Sequence, residues 1–189
     1  MSDNSKILVR NARDQDIPAV AEIDVEAFSP YDTTEKPETY QLRLKAFPDG
    51  FMILVADNEI AAYGCSEKWS TEREPGLDEN PMATHQPEGR ILYITAMAVK
   101  TKYQERGYDL LVLDKLIGIA RLEGCRKIVS ETTHAQDLYL KRGFTKVQNR
   151  AEGGISLDVM SLELEPISRH SPAIGERSPV KGKQLIEEN

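Results

Sequence analysis

Hydrophobic and polar positions change period several times along the chain, and each change marks an element. "ILYITAMAV", Ile91 to Val99, is apolar at nearly every position. That pattern predicts a strand buried on both faces, in the middle of a sheet. After a short joint, "YDLLVLDKLIGIARLEG" is apolar around most of a helical circumference and stops at Gly124. Nearer the start, "KILVRNA" (Lys6 to Ala12) is rich in β formers. Ile17, Val20, Ala21, Ile23 and Ala27 then recur at helical spacing, with Asp14 or Asp16 as cap and Pro18 in the first turn. "PETYQLRLKAF" reads as a second helix from Pro37, and "FMILVADNEIAAYGCSEKW" as two strands about a tight turn at Asp57 and Asn58. Beyond Gly124 come a strand in "KIVSETT", a short helix in "AQDLYLKRG" ending at Gly143, and two strands, "FTKVQNR" and "GISLDVMSLEL". The order β-α-α-β-β-β-α-β-α-β-β has no repeat and no strict alternation. It predicts an α/β (α+β) fold with a mixed sheet and helices on both faces.

Two segments lack periodicity. The insert "STEREPGLDENPMATHQPEGR" is rich in Pro, Gly and acids and is expected to be a surface excursion. After Glu165 the chain turns to Pro, Ser, Gly and mixed charge. Residues 1–165 are therefore read as the domain and 166–189 as a flexible tail. Among the 189 residues 40% are hydrophobic and 29% charged, the balance of a soluble globular protein. The formal charge of -7 argues against a general binder of nucleic acid or anionic membrane, since both require clustered Lys and Arg. No apolar run approaches the ~20 residues of a membrane span, and the first residues lack the apolar segment of a signal peptide. A cytoplasmic protein is expected. Cys65 and Cys125 lack metal-ligand spacing and read as buried, reduced thiols. His85, His134 and His170 are scattered, so no metal is expected.

Candidate chemistry concentrates at the joint "AVKTKYQERGYDLL". A central strand leading into a helix presents free N–H groups there, and these bind anions with the help of the helix dipole. Gly107 permits close approach of backbone to ligand. Lys100, Lys102 and Arg106 bring positive charge. In this segment, "MAVKTKYQERGYD", the chain resembles the GNAT superfamily of acyl-CoA N-acyltransferases, with Gln104, Gly107 and Asp109 at the three signature positions. A second family signature is matched by "AQDLYLKRGF", where Tyr139 precedes Gly143. The likeness runs from Ile7 to Leu164. It implies a mixed, mostly antiparallel central sheet whose two central strands splay apart. Acetyl-CoA would be the co-substrate, its pantetheine pairing with Met97, Ala98 and Val99. Its pyrophosphate would lie on the amides of Gln104, Glu105, Arg106, Gly107, Tyr108 and Asp109. The implied reaction is transfer of an acetyl group to a primary amine by direct attack, without a metal. The family has Gly or Ala where this chain has Asp109. A carboxylate there suits the helix dipole but competes with pyrophosphate.

Amine attack on a thioester requires a proton for the departing thiolate. A phenol with a pKa of ~10 is still protonated when a thiol of ~8.5 leaves, and the resemblance makes Tyr139 that acid. It also makes the Val99 N–H the oxyanion donor. Strand alternation puts Tyr93, Thr95 and Met97 on one face. The stretch "THQPEGRILYITAMAV" bears a fainter likeness to the arylalkylamine N-acetyltransferase branch, which carries histidines in place of Tyr93 and Thr95. The base therefore stays open among Glu67, Glu131 and His85. The two glutamates also read as ordinary strand polar residues, and His85 as a loop surface residue. The acceptor wall is expected from Phe28, Tyr31 and Asp32, with Tyr93 and Thr95 below. Asp78 and Glu79 of the insert are candidates to attract a cationic amine, while Trp69 reads as packing at the end of its strand. The acceptor is a small-molecule or peptide amine, and a homodimer is compatible with this reading. Two rivals remain: a CoA-binding regulatory or vestigial module with weak or no turnover, motivated by Asp109, and a plain interaction domain.

Overall fold

The computed structural model describes residues 6–165. Residues 166–189, read above as a flexible tail, lie outside the described residues, as does His170. In chain order the elements are β1 (Leu8–Asn11), α1 (Ile17–Phe28), α2 (Pro37–Ala46), β2 (Phe51–Ala56), β3 (Glu59–Trp69) and α3 (Pro81–Thr84). They continue with β4 (Ile91–Val99), α4 (Tyr108–Leu122), β5 (Lys127–Thr132), α5 (Gln136–Leu140), β6 (Thr145–Glu152) and β7 (Ile155–Glu163). The expected order is present, with the one-turn α3 added inside the insert. The seven strands form one sheet in the order β1-β2-β3-β4-β5-β7-β6. Only β4 and β5 pair in parallel; every other neighbouring pair is antiparallel. The mixed, mostly antiparallel sheet is as the sequence led us to expect.

Local chemistry sets the joints. Asp57 and Asn58 both take left-handed φ, 53° and 64°, as a two-residue hairpin between right-twisted strands requires. Gly64 on β3 lies under α4. A Cβ added there would stand 2.6 Å from Val112 Cγ1, so the glycine lets helix and sheet approach. On that face Leu92 and Ile94 meet Val112, Leu113 and Leu116 of α4 together with Leu138 and Tyr139 of α5. On the opposite face Val20 and Ile23 of α1 and Tyr40 of α2 pack on Phe51, Ile53 and Tyr63. Helices thus cover both faces.

Two irregularities in β4 position the site. Cys65 opposes Ala96 while Ser66 opposes Ile94, leaving Thr95 as the extra residue of a β-bulge. The bulge inverts the alternation. Met97 and Val99 pack with Leu92 and Ile94 on the α4 face, whereas Ala96 and Ala98 join the α1/α2 core. Tyr93 lies on this second face, with Trp69 and Val129. The expectation that Tyr93, Thr95 and Met97 share one face is therefore corrected; a continuous apolar run does not reveal where one residue is inserted. Second, β4 pairs with β5 only over Ile91–Ile94, opposite Lys127–Ser130. β4 runs on to Val99, so the last five residues, Thr95 to Val99, leave an open edge about 16 Å long. This is the expected splay.

The insert runs over the surface as expected, most of its residues exposed, but it is tied to the sheet and to α2. Gln86 N–H bonds Lys68 O at 2.8 Å, Thr84 Oγ1 donates to Glu67 at 2.6 Å and Thr39 Oγ1 donates to Asp78 at 3.0 Å. Its polar residues complete partnerships of charged groups beneath it, which a count of Pro, Gly and acids does not register.

Candidate active site

The open edge of β4 is a row of unused backbone groups. Lys100 N–H donates to Ala61 O on β3 at 2.8 Å, which fixes the phase of that ladder. By alternation the N–H and C=O of Val99 and Met97 point away from β3, into the gap left by β5. Those of Ala98 point to β3, so of the three residues expected to meet pantetheine, two present backbone groups to the gap. The chain leaves the strand through a single 3-10 turn, Thr101–Tyr103. Glu105 then has φ 64° and Gly107 φ 75° before α4 begins. Left-handed residues in such a turn draw successive N–H groups into a concave nest for anions. The amides of Glu105, Arg106 and Gly107 meet no acceptor among the described residues. Holding a glutamate left-handed costs about 1–2 kcal/mol, strain of a kind that collects at functional loops. A Cβ placed on Gly107 would meet nothing within 4 Å, so the space above this amide is open.

The expected positive charge is partly committed elsewhere. Lys100 and Lys102 both pair with Glu59, and Arg106 stacks over the Tyr103 ring at 5.2 Å. Asp109 occupies part of the anion site itself: its Oδ1 accepts the Leu110 N–H at 2.8 Å, one of the donors that a helix start would otherwise offer a ligand.

Tyr139 is buried near the closed end of the gap, edge-on to Phe144 at 5.2 Å between ring centroids. Ser130 Oγ donates to its hydroxyl oxygen at 2.8 Å. Because serine is the donor, the phenol keeps its own proton uncommitted. Burial pushes the phenol up to about 12, with the Asp109 charge adding to the rise and the Ser130 bond opposing it.

On the α1/α2 face, Tyr93 stacks on Trp69 at 4.2 Å. Burial, with the Glu131 charge beside it, holds the Tyr93 hydroxyl far above the ordinary phenol range. That hydroxyl is buried without a hydrogen-bond partner, at a cost of about 1–3 kcal/mol. Glu131 is clamped by Arg150 through two bonds of 2.9 and 2.6 Å. Thr95 Oγ1 donates to Cys65 O at 3.1 Å, which ties down the bulge. Phe28 packs into the α1/α2 core. Tyr31 meets His134 instead, with rings stacked at 5.7 Å and Oη 3.2 Å from Nδ1. That contact joins the loop after α1 to the loop after β5.

The candidate bases separate. Both Glu67 oxygens are engaged: Oε1 accepts from Arg43 at 2.7 Å, and Oε2 from Trp69 Nε1 at 3.0 Å and Thr84 at 2.6 Å. His85 is half-buried; it stacks on Phe47 at 4.8 Å and accepts the Lys68 N–H. Glu67 stands opposite Tyr93 across the β3–β4 ladder but is held by Arg43, Trp69 and Thr84, and Glu131 flanks Tyr93 from the β5 side. Asp78 serves Thr39 and the Lys36 amide, and Glu79 is forked to Arg73. Cys65 and Cys125 are buried and free, and burial pushes the Cys65 thiol up to about 12.

Sequence reasoning missed a buried polar cluster beneath α1 and α2. Asp24 accepts from the Tyr40 and Tyr63 hydroxyls and from Glu35 N–H. Arg43 bridges Glu35 at 2.6 Å and Glu67 at 2.7 Å. Burial raises Asp24 and Glu35 above their ordinary values. A signal existed: Asp24 stands four residues after Val20 and three before Ala27, on the apolar stripe of its helix.

A seven-stranded sheet splayed beside its central strand, with a helix starting where the open strand ends, defines the class as an α/β protein of the splayed-sheet type. The chain belongs to the acetyltransferase (GNAT) family, whose sequence profile matches residues 17–144. The same fold is found in yncA from Salmonella typhimurium, solved with its cofactor acetyl-CoA: 17% identity, covering 89% of this chain and 99% of that one, TM-score 0.66. GphF, a GNAT-like decarboxylase in complex with isobutyryl-CoA, is 14% identical over 84% of this chain and all of its own, TM-score 0.69. The ribosomal-protein-S18-alanine N-acetyltransferase from Escherichia coli is 15% identical, covering 87% and 98%, TM-score 0.63. No curated protein sequence matches.

Proposed function

We propose that the protein is an acetyl-CoA-dependent N-acetyltransferase acting on a primary amine. The observation that carries this reading is the open β4 edge at Met97 and Val99, continuous with the unpaired amides of Glu105 to Gly107. These groups fit an extended amide-bearing arm ending in a diphosphate, and acetyl-CoA bound there would supply the thioester. The backbone of Met97 and Val99 would hold pantetheine, and the loop amides the pyrophosphate. The amine nitrogen bonds to the acyl carbon as the C–S bond breaks. Tyr139 gives its uncommitted proton to the leaving thiolate, and the surplus amine proton leaves to water. Glu131 and Tyr93 flank the acceptor side.

Asp109 supports a second reading, a CoA-binding module with weak turnover, because its carboxylate already holds the Leu110 amide. Calorimetry with acetyl-CoA and free-thiol release over a panel of amines test both. Binding with thiol release supports the enzyme, binding without release supports the module, and absence of binding overturns both.

A further inference from the structure

We propose that the cavity between Trp69, Tyr93 and residues 72–74 selects the acceptor, and that it admits a compact amine lacking a carboxylate; this rests on the acetyltransferase reading above. The cavity lies on the α1/α2 face, where β4 and β5 begin to part, and Tyr93 stands two residues before the bulged Thr95. A group held against Tyr93 is therefore about 7 Å along the strand from the start of the open edge.

Size is the first constraint. The volume is about 190 Å³, well below the ~300–1,000 Å³ of pockets that take drug-sized ligands. It suits one side-chain-sized body, either a small free amine or the first residue of a peptide. Trp69, Ile91, Tyr93, Val129 and Val159 give it apolar walls, which favour a largely apolar body.

Polarity is the second constraint. The Tyr93 residue is 3% exposed and its hydroxyl, buried beside Glu131, meets no partner within hydrogen-bond distance, so a ligand group that displaces the wall enough to reach it would satisfy it. Charge is the third. Two arginines line the cavity, and both are occupied: Arg73 by Glu79 at 2.8 Å through each of two nitrogens, Arg150 by Glu131 and Glu152. The carboxylates Glu72 and Glu74 also line it; Glu72 is paired with Lys127, while the Glu74 side chain meets no cation among the described residues. An incoming carboxylate would have to break an ion pair and face these acids. An ammonium meets acidic neighbours instead.

The test uses the full chain with CoA bound and a matched series: isoamylamine, leucinamide, a leucyl pentapeptide amide and leucine. These share one hydrophobic body, and only leucine carries a carboxylate next to its amine. By calorimetry at least one of the first three should bind about tenfold or more tighter than leucine. The free amine against the pentapeptide tells which source the cavity serves. Tyr93→Phe should weaken the preferred amine about three- to tenfold, leave acetyl-CoA affinity unchanged and raise Tm, since the unpaired hydroxyl is gone. Equal or better binding of leucine, no binding by any member, or unchanged amine affinity in Tyr93→Phe overturns the proposal. Discrimination without thiol release supports the site and refutes the acetyltransferase reading. Thiol release with leucine as good as with leucinamide does the reverse.

Discussion

On the α4 face of the splay a ligand meets backbone: the outward groups of Met97 and Val99, then the amides of Glu105 to Gly107. On the α1/α2 face it meets side chains already in partnership, with Arg150 on Glu131 and Arg73 on Glu79, above a buried layer in which Arg43 bridges Glu35 and Glu67. The first surface recognises anything with the right run of amide and phosphate groups. The second discriminates, because each arriving group must match partners that are already fixed. A fold that serves many acceptors can keep the first surface and rebuild the second.

The largest expected effect breaks the α1/α2 face alone. Arg43→Ala leaves Glu35 and Glu67 buried and unpaired, and removing one partner of a buried charge pair costs about 3–5 kcal/mol. Urea denaturation should show that loss. Under conditions where the variant stays folded, acetyl-CoA affinity should match wild type. A parallel loss of acetyl-CoA affinity would mean that the two faces are not independent.

Tyr139→Phe comes next, on the other face. Removing a positioned acid lowers turnover about a hundredfold, with acetyl-CoA affinity kept within about twofold because no backbone donor is lost. Single-turnover rates and calorimetry separate the two quantities. An unchanged rate would put Tyr139 among the packing residues with Phe144.

How legible each face was follows from the same contrast. The donor face depends on chain direction, a glycine and a helix start, which leave marks in "AVKTKYQERGYD". The left-handed Glu105 left none, because nothing in a glutamate's side chain signals positive φ. The acceptor face depends on which side chains meet across long separations. Arg43, Glu67 and Thr84 come from α2, β3 and the insert, and their spacing along the chain is not their spacing in space. The bulge at Thr95 was equally hidden, and missing it put Met97 on the wrong side. Asp24 alone was readable, from its place on an apolar stripe.

Asp109→Gly is a smaller perturbation and sharpens the donor face. It frees the Leu110 amide and removes a charge that would face pyrophosphate. At about 5 Å and an effective dielectric between 80 and 20 that charge costs roughly 1–3 kcal/mol, so acetyl-CoA should bind about tenfold tighter. Tm should fall, since an acid in the first turn contributes about 0.3–1 kcal/mol to the helix. Opposite signs for affinity and stability would mark Asp109 as a residue kept for something other than tight binding. Unchanged affinity would mean that its carboxylate does not face the phosphates.

The smallest effect is an expected flatness. An acid catalyst with the ordinary phenol value of ~10 would be half ionised at pH 10, and turnover would already be falling. Burial and the Asp109 charge place Tyr139 at about 12, so ionisation at pH 10 removes only about one part in a hundred of the protonated acid. The rate should climb from pH 6 as the amine loses its proton, levelling near pH ~9 for an α-amino group of pKa ~8 and still rising at pH 10 for an alkylamine of pKa ~10.4, with no descending limb up to pH 10. The sign of one substitution checks the cause. Asp109→Gly removes a negative charge that disfavours the phenolate, so it lowers the Tyr139 value and moves the descending limb toward neutral pH. A wild-type rate that falls between pH 9 and 10 would mean that the phenol is less buried during turnover than in this structure, with solvent reaching the closed end of the gap from the acceptor face.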